Sequence, residues 1–142
     1  MVNDIEKLNR IVTSALTCFE NHLPSIVALQ TFPLNYCEEV SSILLMILRN
    51  ENILDFKMMQ GSKSNGNQHY WLESETHIID LTAHQFDSIN APFLLVPKKE
   101  YPLRKIFNRN ISEAEIHPNW SGLMHLAHNI QEKFYESYYI NK

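Results

Sequence analysis

The segment VSSILLMIL, residues 40–48, sets the strongest limit on how this chain folds. Its hydrophobic residues Val40, Ile43, Leu44, Ile47 and Leu48 recur at the i, i+3, i+4, i+7 spacing of a helix that buries one stripe. Cys37 stands where this helix begins, with Pro33 and Asn35 just ahead of it. The first turn of a helix leaves backbone N–H groups unpaired and carries the positive end of the dipole, so it favours an anion such as a thiolate. Such a position can bring a thiol from about 8.5 toward neutrality, which is how enzymes make cysteine nucleophilic. The competing reading of Cys37 is a small buried hydrophobe. The rest of the chain has to decide between the two.

A chain of 142 residues suits one domain, residues 1–142, around one core. Hydrophobic residues make up 44% and charged residues 20%, enough to fill that core and keep the surface wet. A net charge of −4 gives no general attraction to nucleic acid or to acidic lipid, and the pairs Lys98-Lys99 and Arg104-Lys105 are too small to reverse it. No apolar run approaches the roughly 20 residues that span a bilayer, and the first residues lack the basic-then-apolar pattern of a signal peptide. Cytoplasm is therefore the expected compartment, leaderless export leaving no mark to read. There Cys18 and Cys37 are expected to stay reduced.

Along the chain, Ile5, Leu8, Val12, Leu16 and Phe19 predict a first amphipathic helix over residues 3–21, ending near Pro24. After the Cys37 helix, strands are predicted over 53–61, 68–73 and 76–81. PFLLV between Pro92 and Pro97 is a fourth, at an edge. GSKSNGN is a polar loop between the first two strands. Trp120, Leu123, Ala127, Ile130, Phe134 and Tyr138 mark a last long helix. The expected class is α+β: a nucleophile-bearing helix on a small antiparallel sheet, flanked by N- and C-terminal helices.

A cysteine nucleophile needs a base, and the base needs an orienting group. If residues 69–73 and 76–80 form a hairpin in which Glu73 faces Thr76, His69 lies directly opposite Asp80. Opposed residues share a face with Cβ atoms about 4.5–5.5 Å apart, within reach of an imidazole–carboxylate bond. Trp71 and Ile78 fall on the same face, so one face carries both the pair and bulky packing residues, as a sheet face covered by the Cys37 helix would. Asp80 sits among Ile78, Ile79 and Leu81, where a carboxylate is tolerated only with a partner. In this reading Asp80 fixes the tautomer of His69, and His69 takes the thiol proton of Cys37.

Cysteine at the start of a buried helix, then His-x-Trp on one strand and Ile-Asp-Leu-Thr at a strand end, resembles the papain-like and transglutaminase-like cysteine enzymes in chain order. The likeness extends to small bacterial proteins with F-P-x-x-x-C, H-x-W-L-E and I-D-x-T-x-x-Q-F motifs. Here these are Phe32-Pro33 to Cys37, His69 to Glu73, and Ile79-Asp80-Leu81-Thr82 to Gln85-Phe86. The resemblance covers residues 30–97 and implies a papain-like core with Cys37 as nucleophile, His69 as general base and acid, and Asp80 as orienting group. Gln30 resembles the glutamine that papain-like enzymes use to bind the oxyanion, although the spacing is longer and Pro33 intervenes. The backbone N–H of Cys37 is an alternative donor. Related enzymes often carry small residues where this chain has Glu38-Glu39, which suits the dipole but opposes a neighbouring thiolate.

The resulting expectation is acyl transfer on a protein or peptide amide, or from a small acyl donor, with Trp71, His84 and Glu38 as candidate cleft residues. Peptidase, deamidase, transglutaminase-like and N-acyltransferase reactions differ only in the acceptor admitted. A binding module that keeps the fold without turnover, and a toxin or effector domain using the same chemistry, are the alternatives. No cofactor is expected. His117, His125 and His128 could be gathered around a zinc ion, but without H-E-x-x-H or C-x-x-C spacing they read as surface histidines, and no metal is expected. The oligomeric state is not read from the sequence.

Overall fold

The computed structural model describes residues 2–26, 37–86 and 88–140. Three helices, α1 (Val2–Ile26), α2 (Cys37–Asn50) and α3 (Ser121–Ile140), accompany one antiparallel sheet of five strands. The strands are β1 (Lys57–Ser62), β2 (Gln68–Glu73), β3 (His77–Asp80), β4 (Phe93–Pro97) and β5 (Arg109–Ala114), in the order β4-β3-β2-β1-β5. The class is α+β.

The predicted stripe on α2 is there and is wider than the spacing required, with every residue from Val40 to Leu45 buried along with Ile47 and Leu48. Burial of each large side chain contributes about 1.5–3 kcal/mol. The complementary charges at its ends, Glu38 and Glu39 at the start and Arg49 at the finish, contribute only about 0.3–1 kcal/mol each. Packing therefore holds this helix. It stops where Asn52 takes a left-handed backbone (φ 63°), so that its N–H reaches the Arg49 carbonyl and the Ile53 N–H reaches that of Leu48. α1 runs on to Ile26 rather than ending at residue 21. Its buried stripe is Leu8, Ile11, Val12, Ala15, Cys18 and Phe19, which leaves Ile5 exposed. The stripe predicted for α3 is buried from Leu123 through Tyr138.

The sheet separates two cores. Met58, Leu72 and Ile79 point to the side packed by all three helices. Trp71 and Ile78 point to the other side, against Ala83 from the turn after β3 and Tyr101, Leu103 and Phe107 from the connection between β4 and β5. The expectation that the Cys37 helix covers the face bearing Trp71 and Ile78 is thus corrected: α2 covers the opposite face. Two further corrections concern the strands. β1 begins at Lys57, after a turn, and β5 was not predicted at all. The edge position of β4 is as expected. No helix among the described residues is long and apolar enough to cross a membrane.

Candidate active site

Cys37 is the first residue of α2 and is half-buried, with its thiol free. His69 is the second residue of β2 and Asp80 the last of β3, and both are buried. The hairpin joining them differs from the one predicted. Leu72 pairs with Ile79 and Glu73 with Ile78, so the pairing is displaced by two residues and His69 is diagonal to Asp80. Ser74 causes the displacement. Its N–H bonds the His77 carbonyl at 2.9 Å, and its hydroxyl accepts the N–H groups of Thr76 at 3.3 Å and His77 at 3.1 Å. The turn is therefore Ser74–His77. Because side chains alternate with a period of two, a shift of two keeps His69 and Asp80 on one face.

The pair is made: His69 Nε2 lies 2.6 Å from Asp80 Oδ2, with the side chains 0% and 1% exposed. The other carboxylate oxygen accepts the Thr82 N–H at 3.0 Å and the Thr82 hydroxyl at 3.3 Å. Sheet pairing also slips between Ile78 and Asp80 on the β4 side, a local irregularity beside the carboxylate. Around the imidazole stand Phe86 edge-on at 5.0 Å, Phe107 at 5.2 Å and Trp71 stacked at 6.2 Å. Across the sheet His69 faces Gly61, where a Cβ would come within 2.8 Å of the Phe107 carbonyl and 2.9 Å of the Trp71 ring.

Burial opposes a charged imidazole, but the Asp80 charge and hydrogen bond outweigh it and push His69 up to about 9. Cys37 lies near enough to push in the same direction, less strongly than Asp80. With Nε2 committed to Asp80, Nδ1 is the nitrogen left for the thiol. That nitrogen is buried and makes no hydrogen bond within normal range among the described residues, to the Cys37 sulfur or to any other atom. Asp80 is held below its ordinary value: burial would raise it, and the His69 charge, with the bonds from His69, Tyr101 and Thr82, overcomes burial.

Comparison of the chain with family models, curated proteins and solved structures finds no match. The site therefore rests on its own geometry.

Of the remaining candidates, Trp71 is fully buried and backs the imidazole instead of lining an open cleft. Its indole N–H donates to Glu73 at 3.0 Å. His84 lies half-buried in the 3-10 turn Ala83–Gln85, where burial lowers its pKa against the charges of Glu20 and, less strongly, Asp80. Glu38 lies beside Cys37 and pairs with His117 at 3.5 Å. Gln30 lies outside the described residues. His128 pairs with Glu132 at 3.1 Å, and no metal-holding group of His, Cys, Asp and Glu occurs among the described residues. Sequence reasoning missed Tyr101, whose hydroxyl donates to Asp80 Oδ2 at 2.6 Å. It also missed Phe107. Neither carries a local signal: Tyr101 sits in the polar string KKEYPLRK, which reads as surface.

Proposed function

We propose that this chain is a cysteine-dependent acyl-transfer enzyme of papain-like or transglutaminase-like type, acting on a protein or peptide amide through Cys37, His69 and Asp80. The observation that carries the proposal is the fully buried His69–Asp80 bond, which leaves Nδ1 unpartnered among the described residues, with Cys37 of α2 close enough to act on the ring. A carboxylate and an imidazole fully buried together cost desolvation that packing alone does not require.

In the reacting form the Cys37 proton has passed to His69 Nδ1, which sets an imidazolium beside a thiolate. The sulfur attacks the carbonyl carbon, and the C–O π electrons move onto oxygen, where the unpaired backbone N–H groups at the start of α2 can receive the charge. His69 gives its Nδ1 proton to the leaving amine as the C–N bond breaks, leaving a thioester on Cys37. Neutral His69 then takes a proton from water or from an acceptor amine, which attacks the thioester and returns the thiolate.

A second reading, a binding module without turnover, draws on the carboxylates next to the thiol. Glu39 is raised by burial and by Glu38, so the first turn of α2 is crowded with negative charge.

The test is the rate of iodoacetamide modification against pH, followed by mass spectrometry in wild type and His69→Ala. Cys18 is the internal control, since burial pushes its thiol up to about 11. Fast modification of Cys37 below pH 7 that disappears without His69 is expected. Slow modification indifferent to His69 would make Cys37 a packing residue and leave the binding-module reading.

A further inference from the structure

We propose that Tyr101 is a fourth member of this site, a positioning residue that pins the Asp80 carboxylate and, through it, the His69 ring. Asp80 accepts four hydrogen bonds. Oδ2 takes His69 Nε2 and the Tyr101 hydroxyl, both at 2.6 Å, and Oδ1 takes the Thr82 N–H and hydroxyl. A carboxylate offers about four accepting positions, so this one is filled and cannot turn without breaking bonds. Without Tyr101, Oδ2 is held only by His69, so the carboxylate and the imidazole bonded to it can shift together about the oxygen that Thr82 holds.

Tyr101 is itself fixed. It lies between two short 3-10 turns, Lys98–Glu100 and Pro102–Lys105, and its ring packs against Trp71 and Phe93, each at 5.8 Å. The flanking Lys98 and Arg104 both pair with Glu73 of β2, the residue that also accepts the Trp71 indole. The segment is thus tied to β2 on both sides of the tyrosine, and the tyrosine is the part that points inward. The other titratable or charged groups acting here are Cys37 from α2, His84 from the turn after β3 and Arg104 beside the phenol. Lys63 stands 6.0 Å from the Phe107 ring centre.

The catalytic consequence rests on the acyl-transfer reading, whereas the effect on His69 does not. In Tyr101→Phe the packing ring stays but the donor that draws charge from Oδ2 is gone, so the carboxylate holds the imidazolium more tightly. The His69 titration, followed by nitrogen NMR, is expected to move upward in pH. Incorporation of 3-fluorotyrosine makes a stronger donor of the same shape and is expected to move it downward. Modification of Cys37 at pH 7 should nonetheless slow about tenfold, because the shifted ring carries Nδ1 out of line with the sulfur, a loss at the lower end of one charge-assisted hydrogen bond. In an Asp80→Asn background, Tyr101→Phe should add nothing to either readout. A His69 midpoint unmoved by both tyrosine changes would overturn the positioning role and leave the Cys37 proposal intact. Cys37 modification indifferent to His69, with the midpoint still moving, would remove the enzyme reading and keep Tyr101 where it is placed.

Discussion

Asp80 decides most at the scale of single residues. Burial alone would press Asp80 and His69 each toward its neutral form, and the short bond between them reverses this. Asp80→Asn removes the charge and keeps the shape, so burial then dominates and the His69 titration is expected to fall below its ordinary 6.5. Nitrogen NMR of the imidazole reads this directly. Asp80→Ala goes further and strands the donors of Thr82, Tyr101 and His69 in the interior. A loss of about 3–5 kcal/mol is expected in urea unfolding, the cost of leaving one half of a buried pair alone. The sequence made this residue legible because a carboxylate among Ile78, Ile79 and Leu81 needs a reason to be there. It gave no sign of Tyr101, because a contact over 21 residues between a strand end and a polar turn depends on how the chain returns.

At the scale of elements, periodicity served where one face is buried. α2, β2 and α3 were found near their true limits because their apolar spacing reflects the cores they enter. β5 was missed because it is an exposed edge strand of mostly polar residues and has no buried face to imprint a pattern. The β2–β3 register was misplaced because the side-chain cap from Ser74 left no Asn-Gly signature. The face was nonetheless right, since parity survives a shift of two. Gly61 shows how tightly elements meet at the site. Gly61→Ala would push a methyl group into the Phe107 carbonyl and the Trp71 ring, which wall the imidazole. A loss of about 1–3 kcal/mol is expected from such overpacking. A lowered melting temperature together with an altered His69 chemical shift would check it.

At the scale of the whole molecule, the buried pair ties folding to pH. His69 titrates at about 9 in the fold against 6.5 outside it. Its contribution is therefore fully present below pH 6.5 and lost as pH rises through 9. The size is roughly 3 kcal/mol, counted once for the pair. The Asp80 contribution has the opposite sense: it is present above the ordinary 3.8 and lost as pH falls through the lower folded value. Urea unfolding should thus show a plateau up to about pH 6.5 and a decline toward pH 9, and His69→Ala should flatten that decline. A wild-type profile without the decline would show that the buried imidazole is neutral. The two-core arrangement also divides the chain's two tryptophans, with Trp71 stacked on the imidazole and Trp120 packed against the helical side. An imidazolium beside an indole quenches its emission, so the protein carries its own lamp for the charge on His69, with a second lamp on the far side of the sheet as reference.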